Sequence, residues 1–113
     1  MAAPHYNEQA SIEYKSVEMN PSFGTEVVTW MRLALVWVEV YDLLPSRSES
    51  VRQGLATARN QVRIRMRYRP DVTSDMRIVV HGGGVDTVYE IVGGPAVLGR
   101  REALEMVCER WTS

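Results

Sequence analysis

Hydrophobic and polar residues alternate most strictly between Arg59 and Val80. Val62, Ile64, Met66 and Tyr68 interleave with Arg63, Arg65, Arg67 and Arg69. Side chains on a strand leave on opposite faces with period two, so this stretch predicts one strand with an apolar face and an arginine face. Pro70 lacks a backbone N–H and ends the pairing, and Asp71, Ser74 and Asp75 supply turn chemistry. Met76, Ile78 and Val80 then alternate with Arg77, Val79 and His81, which predicts the returning strand.

The rest of the chain reads as what covers that apolar face. Residues 1–10 are polar and predict a flexible N-terminal arm, leaving 11–113 as a single domain. Ile12, Tyr14, Val17 and Met19 predict a first strand across Ser11 to Met19, and Asn20-Pro21-Ser22-Phe23-Gly24 a turn. Val27 to Leu43 exceeds the usual strand length of roughly 3–10 residues, which predicts a bend or bulge near Met31 to Leu33. Its second half carries Ala34, Val36, Val38 and Val40 on one face and Leu35, Trp37 and Tyr41 on the other. Such a strand is either covered on both sides within the chain or meets another subunit with one face.

After Leu44-Pro45, Ser46 and Glu49 have capping-box spacing, and Val51, Leu55 and Ala58 recur at helical spacing. A short helix is predicted over Arg47 to Thr57, weakened by Gly54. Gly82-Gly83-Gly84 predicts a turn, and Val85 to Val92 a strand with Val88 and Tyr89 as its inward-facing candidates. Gly93-Gly94-Pro95 is expected to break that strand. Arg101 to Trp111 fits either a helix or a strand, because Leu104, Met106 and Cys108 alternate while Ala103, Leu104, Val107 and Cys108 also suit a helical face. The sum is an all-β fold: a small six-stranded antiparallel β-barrel or sandwich with one short helix inserted between strands.

Composition narrows the class. With 113 residues, 45% hydrophobic and 24% charged, the chain is an ordinary globular domain large enough for a core. A single cysteine, Cys108, excludes an internal disulfide framework and fits synthesis in a reducing cytosol. No secretory signal pattern opens the sequence, and Arg32 and Glu39 interrupt the longest apolar run, so no membrane helix is expected. The net charge of −1 conceals segregation: the stretch from Leu44 to Arg69 is rich in arginine, whereas the flanks carry most of the carboxylates. Separated signs on a nearly neutral chain favour self-association or docking over bulk nucleic-acid binding.

Chemistry for catalysis is sparse. His5, His81 and Cys108 show no metal-ligand spacing, and the triple glycine is followed by no Lys-Ser/Thr, so it is a turn rather than a phosphate loop. No enzyme activity, cofactor or small-molecule substrate is expected. The unusual constellation is the arginine face. Arg63, Arg65, Arg67 and Arg69 stand roughly 6.6–7 Å apart, close to a phosphate spacing. Three uses are open: a DNA path, a solvated face neutralised by neighbouring carboxylates, or an interface with acidic strands of the next copy.

The ordered features from Ile12 to Trp111 carry a resemblance. They are Val28-Thr29-Trp30, then Trp37-Val38-Glu39-Val40, then the arginine hairpin from Val62 to Val79 with its Arg69-Pro70-Asp71 turn. Tyr89-Glu90-Ile91 and Arg100-Arg101 ahead of Leu104, Met106 and Cys108 complete the order. In these the sequence resembles the bacteriophage head–tail joining proteins, the head-closure or stopper proteins of long-tailed phages. The resemblance implies a β-barrel with one helix and a strand at the C-terminus. It also implies a structural virion protein that forms a homo-oligomeric ring beneath the portal and adaptor, with packaged DNA passing through the lumen and tail proteins bound below. Arg63, Arg65, Arg67, Arg69 and Arg77 are then candidates for a subunit interface or channel lining, and Trp30, Trp37 and Tyr41 for core or interface aromatics. Ser46, Glu49, Val51, Gly54 and Leu55 are candidates for a mobile gating segment. A nucleic-acid-binding module built on the arginine face is the alternative; it requires stacking aromatics on that face, and Tyr68 points the other way.

Overall fold

A computed structural model of the chain describes residues 6–43 and 61–111. Six strands follow one another: β1 (Glu8–Met19), β2 (Glu26–Asp42), β3 (Gln61–Arg67), β4 (Arg77–Gly82), β5 (Val85–Leu98) and β6 (Ala103–Arg110). Every pairing is antiparallel, and the order β1-β2-β3-β6-β5-β4 closes on itself through β4 and β1. Closure removes the edges that an open sheet would expose.

The alternation read in β3 decides what lies inside. Val62, Ile64 and Met66 are buried, facing Leu104, Met106 and Cys108 of β6 and Val38 of β2. Ala10, Ile12, Ile78 and Val80 complete the interior from β1 and β4, and Leu33, Val36, Val40, Tyr68, Tyr89 and Ile91 pack against it. Among the described residues no helix occurs and no group of three or more His, Cys, Asp or Glu could hold a metal ion. The helix expected over Arg47–Thr57 lies outside the described residues.

Several expectations are corrected. Strand β1 begins at Glu8 rather than Ser11, because Ala10 is a core residue paired with both Val36 and Val80. Strand β3 ends at Arg67, two residues short of Arg69, which lies in the loop. Gly93-Gly94-Pro95 does not break β5: the strand runs to Leu98, and the irregular residues form a bulge between Ile91 and Ala96. Gly94 has φ near 90°, and a Cβ there would stand 3.0 Å from Glu105 O, so the bulge needs glycine. Tyr89, opposite Ile78, faces the core, whereas Val88, opposite Val79, faces away. The C-terminal segment is a strand, with β3 on one side and β5 on the other to satisfy its backbone.

The bulge expected in β2 is present. Ile12 pairs with Ala34 but Glu13 pairs with Arg32, so Leu33 is the extra residue. Here β1 and β2 leave the barrel. Pairing of β1 with β4 stops at Glu13, and from Tyr14 to Met19 its sole strand partner among the described residues is Glu26–Met31. The result is a two-stranded arm. Its tip is braced by Ser22 N–H donating to Asn20 Oδ1, Gly24 N–H to Asn20 O and Asn20 N–H to Thr25 O.

Core and arm should respond differently to substitution. Ile64→Ala empties a fully buried position between β2 and β6 and is expected to cost about 2–5 kcal/mol. Phe23→Ser, at the exposed tip of the arm, is expected to change the monomer's stability by no more than about 0.5 kcal/mol. Urea denaturation of the two variants measures both; equal losses would mean that the arm is part of the cooperative core.

Candidate functional site

The arginines lie on the outside of the barrel, on the face that β3 shares with the outer residues of β2 and β6. Across the strands, Tyr41 stands opposite Arg63, Glu39 opposite Arg65, and Glu105 on the other side of Arg65. Residues directly opposite share a face, which brings Leu35, Trp37, Tyr41, Arg63, Arg65, Arg67 and Glu105 to one surface.

Glu105 is the hub of this surface. Its Oε2 accepts from Arg65 Nε at 3.1 Å and Nη2 at 2.6 Å, and its Oε1 pairs with Arg63 Nε at 2.9 Å. The hydrogen bond to Glu105 pushes the Arg65 pKa further up, against partial desolvation, and the charge of Glu39 adds to it. Arg65 also lies over the Tyr41 ring, 5.9 Å from its centroid. Arg69 is turned toward Asp71, with Nε–Oδ1 at 3.1 Å and Nη2–Oδ2 at 3.0 Å. That bond holds the Asp71 carboxyl below its ordinary range. A depressed carboxyl contributes stability above its unfolded value and loses it as pH falls through the folded one; on so exposed a pair the contribution is small.

Arg77 is remote from these four. It pairs with Glu13 at 2.7 Å and stacks on Trp30 at 4.3 Å, with Lys15 5.6 Å from the same ring. Trp30 therefore belongs to a cation-flanked cluster at the root of the arm. Trp37 and Tyr41 are not core residues; Trp37 is 55% exposed. Arg67 reaches the Tyr6 ring at 5.7 Å and has no carboxylate partner among the described residues. Beside it a cavity of about 320 Å³ is lined by Val36, Trp37, Arg67, Tyr68 and Arg69. Ser46, Glu49, Val51, Gly54 and Leu55, the expected gating segment, lie outside the described residues.

Two features escape a reading of the sequence. The first is the arm: Val17, Met19, Phe23, Val27, Val28 and Met31 are all exposed. Its alternation looks like that of any half-buried strand until the pairing shows that no second sheet among the described residues covers it. The second is a polar chain of Ser11, His81 and Asp86, in which Ser11 Oγ and His81 Nε2 are 2.7 Å apart and His81 Nδ1 and Asp86 Oδ1 also 2.7 Å. With imidazole neutral, Nδ1–H donates to Asp86 and Ser11 Oγ–H donates to Nε2. The order matches a nucleophilic triad, but Ser11 is 1% exposed, and attack needs an oxygen that a substrate carbon can approach. It is a clasp tying β1 to the β4–β5 hairpin.

Comparison with known proteins agrees with this architecture. The phage head completion protein family model matches residues 1–110, and the chain belongs to that family. A solution structure of protein SF1141 from Shigella flexneri 2a is similar at 27% identity and a TM-score of 0.73, over 97% of this chain and 96% of that one. No curated protein matches. The family is one of structural virion proteins, so the chain is a phage head component that works with other capsid or tail proteins.

Two measurements probe this surface and the core beneath it. Glu105→Gln leaves Arg63 and Arg65 without their shared carboxylate; it should cost about 1 kcal/mol in urea and raise the affinity for a DNA oligonucleotide at low salt. Unchanged oligonucleotide binding would mean that the arginines stay neutralised by other groups. Burial pushes the Cys108 thiol up to about 12. A thiol reagent at pH 8 should therefore label native protein far more slowly than urea-unfolded protein, since reaction requires the barrel to open.

Proposed function

We propose that this member of the phage head completion family assembles as a ring below the portal and adaptor, where it retains packaged DNA and presents a surface to the tail. The observation that carries this reading is a closed, self-sufficient barrel that leaves two apolar surfaces uncovered: the arm, and the outer face of β2 at Leu35, Trp37 and Tyr41. Exposed apolar surface of this extent marks a protein–protein contact. A part designed to be built into a larger assembly has a stable interior and unfinished outer faces.

The state of the arginines supports the same reading over the nucleic-acid module. Arg63 and Arg65 share Glu105, Arg69 holds Asp71 and Arg77 holds Glu13. Phosphate binding draws on uncompensated cations that release counterions, and paired guanidinium groups supply little of that. Carboxylate-held arginines with aromatic neighbours are instead typical of an interface, where Arg, Trp and Tyr dominate the binding energy.

The test is to mix the purified chain with its portal–adaptor complex and measure mass by light scattering and shape by negative-stain microscopy. Recruitment in fixed stoichiometry at the DNA exit is the expected result. A chain that ignores the portal complex and binds oligonucleotides with steep salt dependence overturns the assignment.

A further inference from the structure

Resting on that reading, the geometry points to a specific contact between copies: we infer that the arm of one subunit docks into the Trp37–Arg67 cavity of the next. Phe23, 80% exposed at the arm's tip, is the apolar anchor. The cavity has aromatic and aliphatic walls in Trp37, Tyr68 and Val36, with Arg67 and Arg69 at its rim. An aromatic anchor entering a pocket ringed by polar groups is the arrangement that concentrates interface energy.

Charge complements shape. Glu18 and Glu26 flank the tip of the arm, and neither has an ion-pair partner among the described residues. Arg67 likewise has no carboxylate partner among the described residues. Glu18 pairs with Val27 and Glu26 with Met19, so the two carboxylates leave the ribbon on opposite faces and either face that lies down presents one carboxylate to the guanidinium. The apolar residues back this up. On the arm, Val17 pairs with Val28 on one face, and Tyr14 with Met31 on the other. A two-stranded ribbon with apolar residues on both faces is at best marginal in water and gains by lying against another surface.

A second copy supplies the matching cavity, because the arm cannot reach its own. Arm and cavity share strand β2, in which Val27 precedes Trp37 by ten residues, a separation of roughly 33 Å along a strand at about 3.3 Å per residue. The arm points away from its own barrel and cannot fold back onto it. A contact between two different patches is heterologous and runs head to tail, so it closes into a ring when the rotation between copies allows.

Charge reversal tests the contact in the full-length chain. An arm variant, Glu18→Arg with Glu26→Arg, and a cavity variant, Arg67→Glu, are each expected to associate about 10–100-fold more weakly than wild type by sedimentation equilibrium. Mixed together, or combined in one chain, the reversals restore opposite charges across the contact and should recover association, which a misfolded chain cannot imitate. Phe23→Ser should weaken association with no loss of urea stability. If the arm variant alone is impaired, the arms pair with each other and the inference is overturned. It is also overturned if wild type stays monomeric to about 1 mM, or if the reversals fail to rescue one another. Adding the portal–adaptor complex separates the two readings: recruitment without charge-swap rescue removes this contact and leaves head completion standing. Rescue without recruitment does the reverse.

Discussion

Closure of the sheet around β3 is the constraint on which the rest of the molecule depends. This strand lies between β2 and β6, and its residues Val62, Ile64 and Met66 touch the interior that both neighbours share. Because the side-chain period is two, committing these three to the inside commits Arg63, Arg65 and Arg67 to the outside. One register slip would bury three guanidinium groups, at a cost far beyond the stability of a small domain. The register is therefore fixed by desolvation as much as by packing, and it carries the outer surface with it.

The outer surface is then assembled by neighbours rather than by sequence proximity. Glu105 reaches Arg63 and Arg65 from β6, about forty positions along the chain, and Tyr41 meets Arg65 from β2. This is why a basic stretch conspicuous in the sequence becomes a partly neutralised face in the fold. The same logic operates at the root of the arm, where Glu13 of β1 pairs with Arg77 and Trp30 of β2 stacks on it. Guanidinium groups held by carboxylates and rings are rigid, weakly hydrated and suited to packing against another protein.

Closure also explains the arm. Once β4 pairs with β1 only as far as Glu13, the remaining hairpin has no place in the barrel and projects from it. The Leu33 bulge falls at that junction, between the part of β2 that lines the core and the part that leaves it. A bulge adds twist and bends the strand, so the point of departure is built into the pairing. For a phage head component, a rigid barrel with a projecting apolar ribbon separates two tasks: folding alone, and fitting to a neighbour.

The sequence by itself determined the all-β class, the arginine hairpin, the inward identity of Val62, Ile64 and Met66, the bulge near Leu33 and the family. These follow from periodicity, turn chemistry and residue order, which act over a few positions. Tertiary structure alone decided the rest. Gly93-Gly94-Pro95 looks like a terminator locally, yet β6 supplies pairing on its far side and turns it into a bulge. Arg101 to Trp111 suits two periods equally, and the open edges of β3 and β5 select the strand. Whether Trp37 is covered, whether Arg65 is paired and whether Ser11 finds His81 depend on residues tens of positions away. Burial and pairing are properties of the closed sheet, and no local pattern encodes which distant strand arrives beside which.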